Sequence, residues 1–205
     1  MIVKKFGTTS FSMTSSLIQT LRMLCDIPPE EEHKVNGITV IETLKKGDHF
    51  IREGAIPTHF GYVVNGLFRY YYLDAKGTEF TKGFFPENNF LTSYTAMKAQ
   101  QPSHFAIEAI EDSDILVIDY YHWPALYAGH PCWRQFLLAL LEKGYAKKEA
   151  RERELLVFNA EERYRLFLEQ FPDLESRVKQ HMVASYLGIT PVALSRIRKS
   201  MSAAE

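Results

Sequence analysis

Residues 180–199, QHMVASYLGITPVALSRIRK, predict two short helices joined by a turn. Gly188 stands where the first helix must end, because a residue with positive φ closes a helix at low cost only when it lacks a Cβ. Thr190 can cap the second helix through its hydroxyl, and Pro191 suits the first helical position, where a missing N–H costs nothing. The positions predicted to face inward are apolar: Val183, Ala184, Leu187, Ile189, Leu194 and Ile197.

The second helix of this pair has a polar and basic outward face. This face consists of Val192, Ser195, Arg196 and Lys199. Their spacings of i, i+3, i+4 and i+7 place them on one side of the helix. A helix that is packed from behind and presents such a face suits the major groove of DNA. The sequence therefore predicts a helix-turn-helix, and a helical hairpin without a DNA partner is the alternative. The predicted DNA-contacting residues are Gln180, Thr190, Val192, Ser195, Arg196, Arg198 and Lys199.

The composition is that of an ordinary globular protein. The chain has 205 residues, of which 46% are hydrophobic and 24% charged, with a formal net charge of −1. Attraction to phosphates must therefore be local. No run of about 18 apolar residues occurs, so we expect no membrane partner, and residues 1–18 lack the apolar block of a secretory signal. Cys25 and Cys132 are too few for a disulfide scaffold or a four-thiolate cluster, so we expect buried thiols in a reducing cytoplasm.

The central part of the chain, residues 37–121, predicts short β-strands. Segments such as FGYVVN and DILVIDY are rich in β-branched and aromatic residues and are separated by turn signals. Asn65-Gly66 suits a tight hairpin. Strands of this length and spacing predict an antiparallel barrel or jelly roll. Before them, residues 13–25 predict a helix and Asp26–Glu32 a solvated loop.

A long helix is predicted from Trp133 to Leu156. Its first half has an apolar side and its second half carries mixed charges. We expect this helix to join two protomers, because symmetric dimers are the usual state of helix-turn-helix regulators. The alternative is a helix lying back on its own barrel. Asn159, with Glu162 three residues later, predicts a capping box for a third helix that packs against the helix pair.

This order of elements resembles that of the cyclic-AMP receptor/fumarate–nitrate regulator (Crp/Fnr) superfamily. Residues 46–54, KGDHFIREG, resemble the family's entry to the barrel, and residues 62–69, YVVNGLFR, its hairpin. Residues 161–164 and 186–199 resemble the DNA-binding domain of its short members. The resemblance implies an α+β fold, with a cyclic-nucleotide-binding-like antiparallel β-barrel or jelly roll at 1–130, a long dimerisation helix at 131–158 and a helix-turn-helix domain at 159–205.

The phosphate cassette of that family is altered in this chain. The family uses a Gly-Glu pair for the ribose hydroxyl and an Arg-Ser pair for the cyclic phosphate. An ungapped alignment places Leu91 and Thr92 at the first pair, and Ser103 and His104 at the second. Because a buried phosphate without a cation is heavily penalised, we expect no tight binding of cyclic AMP or cyclic GMP, while another small effector stays open. The candidate ligand pocket comprises Phe90, Leu91, Thr92, Ser93, Ser103, His104 and Phe105.

The resemblance implies a cytoplasmic, homodimeric transcription regulator that binds a near-palindromic operator, with RNA polymerase as a further candidate partner. The family contacts bases through a Glu and an Arg four residues apart. Arg196 stands at the Arg position and could bind guanine, whereas Val192 stands at the Glu position and could touch a thymine methyl. The half-site should therefore differ from the family's usual one. Two alternatives stay open: loss of DNA binding, and a ligand sensor that acts through a protein partner.

Enzymatic function has little support in the sequence. The His-x-His pair of metal-dependent cupins is absent, and the seven histidines are scattered singly. The remaining alternative is that one of these histidines binds a haem iron. No Gly-rich phosphate loop and no Gly-x-Ser-x-Gly elbow occurs. We expect neither enzyme activity nor a metal site.

Overall fold

The computed structural model describes the backbone of residues 10–203 and the side chains of residues 14–203. The sequence predicts no secretory signal at residues 1–18. Part of this segment lies outside the described residues. None of the helices among the described residues has the length and apolar content that a bilayer-spanning segment needs.

Two helices precede the strands, α1 (Ser10–Leu24) and α2 (Pro29–Ile38). The solvated loop predicted at Asp26–Glu32 is wrong in its second half, because α2 begins there. Glu31 is only 5% exposed, and its carboxylate accepts a hydrogen bond of 2.7 Å from Trp133 Nε1. A buried indole N–H needs an acceptor, which explains an acidic side chain in the interior.

The central part of the chain forms two four-stranded sheets. The strands occur where β-branched and aromatic residues alternate with turns, as the sequence predicts. They are β1 (Thr39–Leu44), β2 (His49–Ile51), β3 (His59–Asn65), β4 (Phe68–Leu73), β5 (Glu79–Phe85), β6 (Phe90–Leu91), β7 (Ala106–Ala109) and β8 (Ser113–Asp119).

The first sheet has the order β1-β8-β3-β6, and its strand pairs are antiparallel. The second sheet has the order β2-β7-β4-β5, with β2 and β7 antiparallel. Among the described residues no strand pair joins the two sheets. The structure therefore agrees with the jelly-roll form of the prediction and not with a closed barrel.

The turn at Asn65-Gly66 corrects the predicted tight hairpin. Strand β3 pairs with β8 and β6, whereas β4 belongs to the other sheet, so this turn carries the chain from one sheet to the other. Gly66 has a φ of +113°, and a Cβ built there would lie 2.1 Å from Ser113 Oγ. Glycine is required because it tolerates both the positive φ and the close approach.

Among the described residues, six α-helices follow the last strand and one short helix lies between β6 and β7. The helix predicted from Trp133 to Leu156 is present, and the predicted capping box at Asn159 and Glu162 is confirmed. Sequence reasoning missed three short helices, at Tyr94–Ala99, Trp123–Ala128 and Leu174–Arg177. The helices are α3 (Tyr94–Ala99), α4 (Trp123–Ala128), α5 (Cys132–Val157), α6 (Ala160–Gln170), α7 (Leu174–Arg177), α8 (Gln180–Leu187) and α9 (Pro191–Ser202).

Side-chain alternation along the strands separates two apolar clusters. Val63 and Ile115 belong to the cluster between the sheets, which also contains Tyr70. Their neighbours Tyr62 and Leu116 face the opposite way and pack with residues of α1, α2 and the first turns of α5.

Contacts divide the chain into two compact units. The first contains the described residues up to Tyr70 together with Phe84–Lys143, and the second contains Tyr71–Gly83 and the described residues from Gly144 onward. The second unit thus includes α6 to α9, the later part of α5, and the end of β4 with the following turn and most of β5. The functional boundaries near residues 130 and 158 stay predictions.

Candidate nucleic-acid interface

Helices α8 and α9 are joined by a short turn, residues 188–190. Gly188 has φ 69° and ψ 35°, in the left-handed region that glycine adopts at low cost. Thr190 Oγ1 accepts a hydrogen bond of 3.2 Å from the Ala193 N–H, and Pro191 is the first residue of α9. The predicted end of the first helix and the predicted cap of the second are both confirmed.

The two helices are packed on their inner side, as predicted. Ile189 and Ile197 are half-buried. Phe167 of α6, which is 1% exposed, has its ring centroid 5.7 Å from that of Tyr186 on α8. The helix pair therefore rests on an apolar layer that includes α6. Four predicted inward residues are fully buried: Val183, Ala184, Leu187 and Leu194.

The opposite side of α9 is exposed. Val192 exposes 62% of its surface, and Ser195, Arg196 and Lys199 are exposed as well. Arg196 and Lys199 form no hydrogen bond or ion pair with other residues of the described part of the chain. An exposed guanidinium without an internal partner can donate two hydrogen bonds to guanine, and an exposed ammonium can contact a phosphate.

Gln180 and Ser195, both predicted to contact DNA, are brought together. Gln180 Nε2 donates to Ser195 Oγ at 2.7 Å and to the Pro191 carbonyl oxygen at 3.2 Å. Gln180 is the first residue of α8, so its amide links the start of one helix to the first turns of the other. Thr190, by contrast, uses its hydroxyl oxygen in the cap of α9.

Arg198 faces the protein, although it was predicted to contact DNA. Its Nη2 lies 2.5 Å from Glu175 Oε1, and its Nε donates to the Tyr164 hydroxyl at 3.1 Å. The same hydroxyl donates to Glu175 at 2.7 Å. The three side chains form a closed network that fixes α9 to α6 and α7. Helical spacing could have indicated this, because Arg198 lies four residues after the buried Leu194.

Two residues of the same unit make contacts that the sequence did not predict. Arg151, in the charged half of α5, donates to the Tyr186 carbonyl oxygen, and its guanidinium carbon lies 4.0 Å from the Tyr186 ring centroid. Ser185 of α8 accepts a bond from the Thr81 N–H and donates to the Glu79 carbonyl oxygen. A charged run and a lone helical serine carry no local signal for such contacts, because both partners are distant in sequence.

No cluster of His, Cys, Asp and Glu side chains suited to a metal ion occurs in the described residues. Both cysteines are buried and unpaired, in agreement with the prediction. Burial raises the pKa of the Cys25 thiol to about 11, so that thiol is protonated at neutral pH and a weak metal ligand.

Comparisons with known proteins agree with this architecture. Residues 41–130 match the family model of the cyclic nucleotide-binding domain. No curated protein sequence matches the chain. Among solved structures, FixK2 from Bradyrhizobium japonicum aligns with a TM-score of 0.72 at 18% identity, covering 81% of this chain and 85% of that one. The catabolite activator protein of Thermus thermophilus aligns with a TM-score of 0.57 at 19% identity, covering 89% and 86%.

A third structure, of a regulator assigned to the Crp/Fnr family from Eubacterium rectale, aligns with a TM-score of 0.69 at 16% identity, covering 87% of this chain and 85% of that one. The chain has the fold of the Crp/Fnr regulators. The resemblance noted in residues 46–54 and 62–69 is confirmed, and both segments lie inside the matched domain. At sequence identities of 16–19%, these similarities show the fold, and they do not identify a ligand or a DNA sequence for this chain.

The residues aligned with the Crp/Fnr phosphate cassette lie on two sides of the first sheet. Leu91 is fully buried between the sheets, whereas Phe90 packs in the cluster that faces the helices. Ser93 and Ser103 are buried together, with their hydroxyl oxygens 3.0 Å apart. His104 is exposed. The structure thus brings the two serines together but places Phe90 and His104 elsewhere.

Aromatic rings fill the space between the sheets beside this cassette. The Tyr70 ring lies between those of Phe85 and Phe105, at centroid distances of 3.9 Å and 5.2 Å. Its hydroxyl accepts a bond of 2.8 Å from the Thr92 N–H. Burial raises the pKa of the Tyr70 phenol, which is therefore neutral. Three stacked rings and a neutral phenol offer no cation to a phosphate.

Proposed function

We propose that the protein is a homodimeric transcription regulator of the Crp/Fnr type that binds DNA through α9. The observation that carries this proposal is the asymmetry of that helix. Its inner side is packed on α6 and α8, while Arg196 and Lys199 on the outer side have no partner among the described residues. Exposed cations on a rigid helix suit base edges and phosphates in the major groove.

The long helix α5 supports a dimer. Leu138, Leu141 and Tyr145 expose 58%, 43% and 69% of their surface, and their spacing of i, i+3 and i+7 places them on one side. A second copy of the same helix would remove this apolar strip from water. The dimer would then present two copies of α9 to successive major grooves, about 34 Å apart, on a near-palindromic operator.

The space between the sheets does not favour a cyclic nucleotide in this chain. The stack around Tyr70 occupies it, and the position aligned with the family's phosphate-binding pair carries Ser103 and an exposed His104. We therefore propose that DNA binding does not depend on cyclic AMP, with another small effector left open. We also propose a cytoplasmic location, with RNA polymerase as a further candidate partner, and we propose no enzymatic activity.

Selection of bound sequences from a random duplex pool tests this function. We expect enrichment of a two-fold symmetric site. Arg196→Ala should weaken binding of that site and relax the preference at one base in each half, whereas Lys199→Ala should weaken binding of all duplexes and lower the salt dependence by about one phosphate contact. Lys98→Ala removes an exposed cation from the other compact unit and serves as the control.

Failure to enrich any sequence, together with duplex affinity that Arg196→Ala leaves unchanged, would overturn this function. It would favour the alternative of a sensor that acts through a protein partner. An enriched site without two-fold symmetry would support DNA binding but contradict the proposed dimer.

A further inference from the structure

A cavity lies inside the apolar cluster on the helix-facing side of the first sheet. Helices α1, α2, α4 and α5 and strands β3, β6 and β8 all contribute side chains to its wall. Its volume is about 30 Å³, whereas about 10 to 15 Å³ is enough to hold one water molecule. Protein interiors are usually packed without voids larger than a water molecule, so a space of this size is a candidate binding site.

The wall of the cavity is wholly apolar. The described residues that line it are all Leu, Val, Ile, Phe or Trp, and the surface that they present to the cavity carries no polar atom. A water molecule there would lack the polar partners, about two to four, that it needs. A charged or hydrogen-bonding ligand would lose its hydration without compensation. The cavity therefore suits a small, uncharged and apolar molecule.

Aromatic rings in the wall hold the cavity open. Trp133 Nε1 donates to the buried Glu31 carboxylate at 2.7 Å, which fixes the indole. The ring of Trp123 meets this indole at 82°, with the centroids 6.4 Å apart. Phe136 contacts Trp133 edge-on at 6.2 Å and Phe90 at 5.2 Å. Because each ring is held by its neighbours in edge-to-face contacts, no single side-chain rotation fills the space.

We propose that this cavity is a binding site for a small, uncharged, apolar molecule of a few non-hydrogen atoms, such as a dissolved gas or a short hydrocarbon. A bound molecule regains the dispersion contacts that the wall of a void lacks. This proposal goes beyond the proposed function and does not depend on DNA binding.

The site differs from the one implied by the resemblance to the Crp/Fnr superfamily. Phe90 lines the cavity, whereas the next residue, Leu91, packs between the two sheets. The first sheet therefore separates the cavity from the space that the Tyr70 stack occupies. Trp133 and Phe136 belong to the first two turns of α5, so a bound molecule contacts the helix that carries the proposed dimer strip.

Xenon is the probe for this site, because it is apolar and uncharged and binds in dry apolar cavities. Crystals of the full chain under xenon pressure locate the atom by its anomalous scattering, and we expect it in contact with Trp133 and Phe136. In solution, contact with this heavy atom should quench tryptophan fluorescence. The chain has two tryptophans, Trp123 and Trp133, and both line the cavity. We expect the quenching to saturate as the xenon pressure rises.

Two ligands of equal size test the chemical class. Propane and ethanol each have three non-hydrogen atoms, but only ethanol carries a hydroxyl that would be buried without a partner. We expect propane to displace xenon and ethanol at the same concentration to leave the quenching unchanged. Equal displacement by ethanol would show that the site is not selective for apolar molecules, and the proposal would be wrong.

Matched valine variants test the location. Val35 of α2 is 1% exposed and lines the cavity, so the methylene group added by Val35→Ile or Val35→Leu occupies part of the space. At least one of the two variants should lose the saturable quenching. Val63→Ile makes the same addition at a fully buried valine between the sheets. It should keep xenon binding, although overpacking lowers its melting temperature.

The proposal is overturned if xenon is absent from the cavity in the crystal or if the quenching rises linearly without saturation. Quenching that persists in both Val35 variants but disappears in Val63→Ile would place the site between the sheets and also contradict it. Each of these outcomes leaves the proposed function untouched, because selection of bound DNA sequences is measured separately.

Discussion

Arg198 and Glu175 form an ion pair, with 2.5 Å between Nη2 and Oε1, on the side of α9 that faces the protein. Arg196, only two residues away, is exposed on the other side. Because the Tyr164 hydroxyl bonds both members of the pair, the network sets the rotation of α9 about its own axis. The two arginines thus differ in their surroundings: Arg198 is bonded to α6 and α7, and Arg196 is exposed.

The first prediction concerns this network. Arg198→Ala leaves the half-buried Glu175 carboxylate without its cation, and we expect it to lower the free energy of unfolding by about 1 to 2 kcal/mol. Arg165→Ala is the control, because Arg165 pairs with Glu161 at 57% and 45% side-chain exposure and should contribute under about 0.5 kcal/mol. Urea unfolding of both variants measures the difference. Equal losses would show that the half-buried network contributes no more than a surface pair.

The second prediction concerns cyclic AMP. A ligand present at 100 times its Kd adds about 2.7 kcal/mol to stability, which raises the melting temperature clearly. We expect millimolar cyclic AMP to leave the melting temperature unchanged, because the Tyr70 stack occupies the space between the sheets and Ser103 and His104 stand where the family has its Arg-Ser pair. Differential scanning fluorimetry measures this. A concentration-dependent rise would mean that the rings move aside.

Local sequence signals predicted the elements whose cause is local. Gly188 and Thr190 end and begin helices through φ preference and a cap within three residues, so the pattern alone was sufficient. The Asn159 capping box is another case. At Asn65-Gly66 the sequence identified the turn, but whether the next strand joins the same sheet depends on partners elsewhere in the chain.

Contacts between distant residues could not be predicted in this way. The Trp133–Glu31 bond joins residues 102 positions apart, and the acidic run around Glu31 looks like solvated surface in the sequence. The Gln180–Ser195 bond spans 15 positions and depends on the crossing of two helices. The candidate interface was therefore predictable as a helix face, but the bonding of its individual side chains was not.

The third prediction concerns acid stability. The hydrogen bond from Lys34, together with that from Trp133, holds the pKa of Glu31 below the ordinary value of 4.5. A carboxyl group with a lowered folded-state pKa stabilises the protein above its unfolded pKa, and this contribution is lost as the pH falls through the lower, folded value. We expect Glu31→Gln to weaken the fall in stability below about pH 4.5, since the amide oxygen can still accept from Trp133.

Urea unfolding at a series of pH values from 7 to about 3 measures this dependence. Glu30→Gln removes the same group from an exposed neighbour and serves as the control. If the pH profile is unchanged in Glu31→Gln but changed in Glu30→Gln, the acid sensitivity does not come from Glu31 and the prediction is wrong.

The fourth prediction concerns the proposed dimer. Leu141→Glu places a charge in the exposed apolar strip of α5, and we expect it to convert the dimer into monomer at micromolar concentration. Lys143→Glu introduces the same residue two positions later, on the other side of the helix, and should leave the dimer intact. Sedimentation velocity measures both. A dimer that survives Leu141→Glu would show that another surface joins the protomers.

The fifth prediction concerns Val192, which is 62% exposed and stands where the resemblance to the Crp/Fnr superfamily implies a glutamate. A valine can contact the methyl of thymine, whereas a carboxylate accepts from cytosine N4. Replacing the contacted thymine by deoxyuridine, which lacks only that methyl, should weaken binding by about 4-fold, the effect of one buried methyl-sized group. Val192→Glu should change the preferred base at this position from thymine to cytosine.

Val192→Ala separates the two effects, because it loses the methyl contact without gaining an acceptor. In that variant deoxyuridine and thymine should bind equally well, and cytosine should gain nothing. Sequence selection with the three proteins measures the preference directly. If Val192→Glu enriches the same half-site as the unmodified protein, this residue does not reach the bases, and its assignment to a thymine methyl is wrong.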